Sequence, residues 1–284
     1  MKALIINADD VGLSKEINEA ARKCYLEKVI TGVSLLACGE SFSDAASMLH
    51  GVGRTNVGAH LVLTGDFKPC TSDLSRIRTL VPGGRFPAGY KAFAARYLLG
   101  AVSADEVYEE TTAQVKKIKE AGLQVTHIDS HEHVHMFPEI LRTVIAVALD
   151  NGIPYVRLPR ESSKVVITAF SPKDLLRHAG LKVFASHARR AMNALEVYHN
   201  DYFWGHFHAG RLDNGILSFI VNNLGEGINE LAVHPGVLTP ELEERSSWHR
   251  NSQKELTALI GGSWRRSLAD SGVRTISHLE TMHI

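Results

Sequence analysis

Short apolar runs alternate with amphipathic stretches along most of this chain. Between the runs, apolar residues recur at the spacing of one helical face, as over 17–25 and 107–118. Strands that alternate with helices predict a mainly parallel sheet covered by helices. Because seven or eight such units fit in 284 residues, we expect an irregular (β/α) barrel, TIM-barrel-like, with long loop insertions. The predicted strands are 3–7, 32–38, 56–63, 125–129, 155–158, 201–207, 230–233 and 273–276.

Helix signals divide the rest of the chain. Ser14 and Ser103 are predicted N-caps, and Pro138 suits the first turn of a helix that ends near Gly152. A helix opening at residues 171–174 is predicted to stop at Gly180, with a separate helix over 184–198. Residues 64–100 are rich in Pro and Gly and form a predicted insertion, of the kind that often serves as a binding loop. No linker or repeat divides the chain, so we expect one domain over 1–284.

Composition narrows the class of protein. Lys plus Arg and Asp plus Glu both number 31, so the formal net charge is zero. The net charge therefore gives no reason to expect binding to nucleic acid or to an anionic membrane. Three widely spaced cysteines argue against a disulfide framework. The N-terminal apolar run is too short for a signal peptide, and no run approaches the roughly 20 residues of a membrane span. We therefore expect a cytoplasmic protein, with a homodimer as the default assembly.

Four segments place carboxylate and imidazole groups where predicted strands end. They contain Asp9 and Asp10, His60, the cluster 129–135, and His234. In a parallel barrel the carboxyl ends of the strands meet at one face, which is where barrel enzymes place their chemistry. Imidazole and carboxylate are natural ligands of a divalent cation. Together the four segments predict a divalent-metal hydrolase site.

Each segment alone has a plainer interpretation. An Asp pair is common in turns, and a lone histidine in a strand is more often a hydrogen-bonded core residue. One carboxylate of the pair could hold a metal while the other faces the attacking water. His131, His133 and His135 stand at alternate positions and could lie on one side of an extended segment. They need not all bind one ion, because a catalytic site keeps a position open.

The remaining polar candidates are less defined. His234 precedes Pro235 and Gly236, and is placed to act as a general acid opposite Asp9, or else only to cap a turn. Arg157, at another strand end, could orient a carboxylate or a sugar hydroxyl, or be structural. The roles of His133, His135, His206 and His208 stay open.

The four segments resemble those of the YdjC-like carbohydrate deacetylases, a family that includes chitooligosaccharide deacetylases. The matching segments are 7–14, 58–64, 126–138 and 234–236. The resemblance implies a barrel-like α/β fold and a metal-dependent N-deacetylase acting on an acetylated amino sugar. By position, it implies Asp10, His60 and His131 as metal ligands, Asp9 as catalytic base and His234 as candidate acid. Glu132 and Val11 depart from the family pattern, at positions where His and Phe are usual.

Metal hydrolysis also suits the residues directly, since a divalent ion can polarise the carbonyl of an amide. Two imidazoles and one carboxylate do not select sharply among ions, and we expect Mg²⁺ or Zn²⁺. One alternative is a metal-dependent phosphoesterase or other hydrolase on the same barrel, which would need more positive charge for phosphate. A second is a non-catalytic sugar-binding protein. The acetylated sugar or glycoconjugate itself is not identified by the sequence.

Overall fold

All strands among the residues that the structure describes belong to one parallel sheet. The computed structural model describes residues 1–168, 172–240, 242 and 247–284. Within them the strand order is β5-β4-β3-β2-β1-β7-β6, with β8 also paired to β1. Each of these strand pairs is parallel, so the carboxyl ends of the strands share one face. The strands are β1 (Lys2–Val11), β2 (Gly32–Leu35), β3 (Asn56–Leu61), β4 (Gln124–Ser130), β5 (Tyr155–Val156), β6 (Tyr202–Trp204), β7 (Gly227–Val233) and β8 (Arg274–Thr275).

Helices follow most of the strands and cover the outside of the sheet. Their buried faces are apolar, as in α1, where Ile17, Ala20, Ala21 and Cys24 face the core. The α-helices in the described residues are α1 (Lys15–Leu26), α2 (Phe42–Gly51), α3 (Tyr90–Leu98), α4 (Ala104–Glu120), α5 (Pro138–Asp150), α6 (Pro172–Ala194), α7 (Asn214–Asn223), α8 (Ser252–Gly261) and α9 (Trp264–Asp270).

The sheet curls until its two edge strands, β5 and β6, are joined by the chain that follows β5. Phe203 of β6 forms a parallel bridge with Glu161, and its backbone N–H donates to the carbonyl of Arg160 at 3.0 Å. Oδ1 of Asn200 accepts a hydrogen bond from the backbone N–H of Leu158, and Nδ2 of Asn200 donates one to the backbone carbonyl of Leu158. The result is the irregular barrel that the alternating pattern predicts.

β1 lies at the centre of this arrangement. It pairs with β7 from Lys2 to Ala8, and with β2 from Asn7 onward. β8 pairs with its beginning, at Ala3 and Leu4. Neighbours on both sides explain why β1 is buried from Ala3 to Val11, polar residues included.

Most local predictions are confirmed. Ser14 caps α1 by accepting the N–H of Ile17, and Ser103 caps α4 by accepting that of Glu106. Pro138 opens α5. The predicted stop at Gly180 is wrong, because α6 continues as one helix from Pro172 to Ala194. A single glycine inside a helix costs only about 1 kcal/mol relative to alanine, which packing readily offsets. The predicted opening residue, Ser171, lies outside the described residues.

The insertion over 64–100 folds back on itself and onto α4. Phe86 donates its N–H to the carbonyl of Phe67 at 3.0 Å, and Ile77, Leu80 and Val81 are buried. Acidic side chains of α4 hold the loop: Glu106 accepts the N–H of Leu80 at 2.9 Å. The insertion contains one short 3-10 helix (Leu74–Arg76) and α3. No helix among the described residues combines the length and apolarity needed to cross a membrane.

Candidate metal centre

The carboxyl ends of β1, β3 and β4 bring Asp10, His60 and His131 together. Oδ1 of Asp10 lies 3.2 Å from Nε2 of His60 and 2.9 Å from Nδ1 of His131. One possible ligand atom from each residue lies within 4.8 Å of the other two. Asp10 has a φ of 60°, a left-handed conformation that ends the regular pairing of β1. The three residues form a compact set of one carboxylate and two imidazoles, and the donor set fits a divalent cation.

Asp129 fixes the ring of His60. Its Oδ1 lies 2.8 Å from Nδ1 of His60, and its Oδ2 accepts from the hydroxyl of Ser34 at 2.8 Å. Donation from Nδ1 directs Nε2 towards Asp10, as a metal ligand requires. Burial alone would lower the pKa of His60, but the charge of Asp129 and the bond to Asp10 raise it to about 10. The surroundings therefore favour positive charge at this point, which a bound cation would supply.

Asp10 is ionised despite its burial. Burial alone would raise the pKa of its carboxyl, but the neighbouring imidazoles of His131, His249 and His60 hold the pKa well below its usual range. The side chain of Asp10 is only 3% exposed, whereas that of His131 is 24% exposed. The metal centre is thus open to solvent on the side of His131.

His131, His133 and His135 do not lie on one side of an extended segment, so that prediction is wrong. The residues 131–136 form a 3-10 helix interrupted by left-handed conformations at Glu132 and His133, with φ of 55° and 54°. His133 turns to the rings of Phe203 and His206, at centroid distances of 5.3 and 5.1 Å. His135 contacts the hydroxyl of Ser130 at 2.6 Å and the carbonyl of Arg157 at 3.0 Å. Of these three imidazoles, only that of His131 meets Asp10.

Asp9 is the neighbour of Asp10 in sequence but has different partners. Both of its oxygens accept hydrogen bonds from the guanidinium of Arg157, at 2.6 and 2.8 Å. Asn7 donates a third hydrogen bond at 2.7 Å. Burial would raise the pKa of Asp9, but the charge of Arg157 and its hydrogen bonds lower it to about 2. Asp9 is therefore held as an oriented carboxylate beside the metal ligands.

Arg157 contacts three carboxylates inside the barrel. Besides Asp9, its Nη1 lies 2.7 Å from Asp129 and its Nε 2.7 Å from Glu230. The Arg157 side chain is 0% exposed, which excludes contact with a sugar hydroxyl and leaves the carboxylate-orienting role. Asp9, His60 and Asp129 form a second possible ligand group, but both of its carboxylates, Asp9 and Asp129, are already paired with the Arg157 guanidinium.

His234 follows β7, and its imidazole lies near Asp9. Its Nε2 is 3.9 Å from Oδ2 of Asp9. Its backbone N–H donates to Oε1 of Glu255 at 2.5 Å. Burial lowers the pKa of His234 to about 4, although the charges of Asp9 and Asp10 oppose that shift. The imidazole is consequently neutral at neutral pH in the metal-free protein.

Two neighbours of the centre were missed by the sequence reasoning. His249, in a 3-10 helix (Ser247–Asn251), places Nε2 at 3.7 Å from Oδ2 of Asp10. It follows no predicted strand, so the strand-end argument could not find it. Glu255 lies on the buried face of α8 with Leu256 and Leu259. A glutamate on the apolar face of a predicted helix could have indicated from the sequence that Glu255 is buried.

The remaining histidines of interest lie away from the triad. His127 stacks on His278 in the barrel, with ring centroids 3.4 Å apart. A Cβ on Gly58 would overlap the His127 ring, so this glycine, two positions before His60, makes room for the imidazole of His127. His206 contacts His133, and His208 is buried. Neither residue belongs to a possible metal-ligand group within the described part of the chain.

The whole chain is similar to proteins named as carbohydrate deacetylases. One from Brevibacillus brevis is 29% identical over 280 residues, covering 98% of each chain. A chitooligosaccharide deacetylase from Escherichia fergusonii is 28% identical over 283 residues, covering 98% of this chain and 99% of its own.

The fold is similar to a crystal structure from Enterococcus faecalis V583, of a protein named for a proposed role in cellobiose-phosphate cleavage. The TM-score is 0.79 with 21% identity, and 98% of each chain is covered. The family described as YdjC-like protein matches residues 3–270. That match includes the triad, Asp9, Arg157 and His234. This chain belongs to the YdjC-like protein family.

Proposed function

We propose that the protein is a metal-dependent hydrolase that removes the N-acetyl group from an amino-sugar substrate, either an oligosaccharide or a glycoconjugate. The observation that carries the proposal is the pairing of a three-ligand set with an adjacent oriented carboxylate. Asp10, His60 and His131 converge within 4.8 Å, and Asp9 is fixed next to them by Arg157. The names of the relatives from Brevibacillus brevis and Escherichia fergusonii support this reaction and substrate class.

Asp10, His60 and His131 would hold the ion, which we expect to be Mg²⁺ or Zn²⁺. When bound, such an ion polarises an acyl carbonyl and increases the acidity of water. Asp129 keeps Nε2 of His60 directed inward, and the exposed side of His131 leaves an approach for substrate. The insertion borders that approach, since the ring of Phe67 meets the ring of His131 at a centroid distance of 6.0 Å.

Asp9 acts as the base that takes the proton from the attacking water. Because its pKa is about 2, it is ionised at neutral pH, and Arg157 and Asn7 hold its orientation. His234 begins neutral, so it must gain a proton before it can act as an acid. Its Nε2 lies 3.9 Å from Oδ2 of Asp9, beyond a direct hydrogen bond, so the proton taken by Asp9 passes to His234 through one water, and His234 then gives it to the leaving amine.

The test is release of free amine from N-acetylglucosamine oligosaccharides and glycolipids, with metal-stripped protein and after divalent ions are restored. We expect metal-dependent release, lost in Asp9→Asn with the ion still bound, and lost together with the ion in His131→Ala. Full activity of Asp9→Asn would refute its role as base. Absence of release by the fully metal-loaded protein, on every sugar tested, would refute the deacetylase.

The phosphoesterase alternative is less well supported. A phosphate site needs available positive charge and often a second ion. Arg157 is buried among carboxylates and occupies the second possible ligand group near the triad. The proposal also keeps a cytoplasmic location and a homodimer, which follow from composition and general frequency. Sedimentation of the purified chain tests the dimer.

A further inference from the structure

Two of the three cysteines meet where the insertion approaches β2. Cys38 follows β2, and Cys70 lies in the insertion, 32 residues further along the chain. Their Sγ atoms are 3.5 Å apart, which is van der Waals contact between sulfurs. Both side chains are half-buried. Cys24, the third, is buried in α1, where burial raises its pKa to about 12.

The backbone on the Cys70 side is fixed by Glu110 of α4. Oε1 of Glu110 accepts the N–H of Cys70 at 2.8 Å and the amide of Gln114 at 2.9 Å, and Oε2 accepts the N–H of Thr71 at 2.9 Å. Cys38 reaches the same Oε1 at 3.8 Å. The three side chains could also be read as a metal-ligand group. However, the lone pairs of Oε1 are already used by two N–H donors, and a carboxylate used in this way is a poor third ligand.

We propose that Cys38 and Cys70 are a modification site, at which a reversible disulfide joins the insertion to the end of β2. Bond formation needs the sulfurs to approach from 3.5 Å to about 2.05 Å. The oxidant is a small-molecule disulfide. One protein thiolate attacks it, forms a mixed disulfide and releases one small thiolate. The second cysteine loses its proton, attacks the mixed disulfide and releases the other small thiol. Two protein thiols are oxidised and one small disulfide is reduced to two thiols.

The bond would act on a wall of the metal centre. Phe67 lies three positions before Cys70, and its ring contacts that of His131. Phe67 is also tied to Phe86 across the insertion. Fixing Cys70 to Cys38 therefore restricts the segment that borders the open side of the triad. This inference does not depend on the reaction proposed for the centre.

The experiment exposes the folded, metal-loaded protein to oxidised glutathione and then counts thiols that can be alkylated after unfolding. We expect the count to fall from three to one, with a peptide that links Cys38 to Cys70 and a mass about 2 Da lower. The melting temperature should rise by a few degrees, because a 32-residue loop is closed in the unfolded chain. Dithiothreitol should restore both values.

Matched variants separate the outcomes. Cys24→Ser should still form the bond, while Cys38→Ser and Cys70→Ser should each retain a glutathione adduct on the remaining partner. In the wild-type protein, three alkylatable thiols after oxidation would overturn the proposal, as would a stable glutathione adduct on Cys38 or Cys70. One extra equivalent of Zn²⁺ that protects both thiols from oxidation and is lost in Cys38→Ser would also overturn it, in favour of a metal site.

Discussion

Arg157 binds Asp9 through two parallel hydrogen bonds, Nη1 to Oδ2 at 2.6 Å and Nη2 to Oδ1 at 2.8 Å. The remaining nitrogen, Nε, meets Glu230, and Nη1 also meets Asp129. One guanidinium thus neutralises acids that come from three different strands. Planar, two-pronged donation sets orientation as well as charge, which an ammonium group does not do.

Arg157→Met should destabilise the fold strongly. It leaves three buried carboxylates without their common cation, and breaking a buried pair in this way costs about 3–5 kcal/mol. Urea denaturation followed by circular dichroism measures the loss. Arg160→Met is the matched control, since Arg160 is partly exposed and donates only to the carbonyl of Asp201 at 3.3 Å. Similar midpoints for the two variants would contradict the central role of Arg157.

Asp129→Asn should weaken metal binding while leaving all three ligands in place. Asp129 orients His60, and loss of such an outer partner typically lowers metal affinity 10–100-fold. Calorimetric titration of the stripped protein with Zn²⁺ measures this change. Asp105→Asn, at an exposed position in the first turn of α4, removes the same charge and should bind the ion as the wild type does. An unchanged affinity in Asp129→Asn would mean that His60 is oriented by other contacts.

His234→Ala should lower kcat by about 10²–10⁴-fold without removing the ion, if His234 carries the proton to the leaving amine. Its ring is near Asp9 rather than among the three ligands. Amine release and metal content are measured on the same preparation. His187→Ala, at an exposed position of α6, is the control. Loss of the ion together with activity would instead assign His234 to metal binding.

Glu255 should make the stability of the protein depend on pH. Burial raises its pKa from 4.5 to about 8, so the folded protein binds a proton that the unfolded chain releases between these values. Its contribution to stability is therefore complete below about pH 4.5 and is lost as pH rises through about 8. Glu255→Gln should remove that loss, so the variant gains stability relative to wild type from pH 5 towards about pH 8.

Thermal unfolding across this range tests the Glu255 prediction. Glu27→Gln, at an exposed helix end, should show no pH-dependent difference from wild type. A Glu255→Gln difference that stays constant with pH would show that Glu255 is ionised throughout.

Gly58→Ala should destabilise the barrel by about 1–3 kcal/mol, the usual range for overpacking. Its Cβ would overlap the His127 imidazole, which is buried and stacked on His278. Gly51→Ala is the control: a Cβ there meets nothing within 4 Å, and the position lies in α2. Chemical denaturation of both variants gives the comparison. Equal stability would mean that the His127 ring relocates at little cost.

The sequence was most informative where the determinants are local. Ser14 and Ser103 cap their helices because an N-cap needs only a side-chain oxygen near the next turn. The approach of Asp10 to His60 and His131 was also predictable, since parallel strands place their carboxyl ends together.

The predictions failed where a position depends on an unusual backbone conformation or on residues far away in the sequence. Glu132 and His133 adopt left-handed φ values without the glycine that usually signals them, so the paths of His133 and His135 were not predictable. His249 is near Asp10 but 239 positions away in the chain, outside any strand. The three acids around Arg157 depend on the curvature of the whole sheet, which no local pattern specifies.

Asp9 and Asp10 are consecutive residues, and their α-carbons are therefore separated by a single peptide unit, about 3.8 Å. Breathing of the sheet moves both residues together, so the spacing of their α-carbons is set by covalent chemistry rather than by packing. Adjustment of the centre must then come from partners on other strands: Arg157 for one acid, His60 and His131 for the other. β1 supplies a fixed reference against which the rest of the barrel can vary.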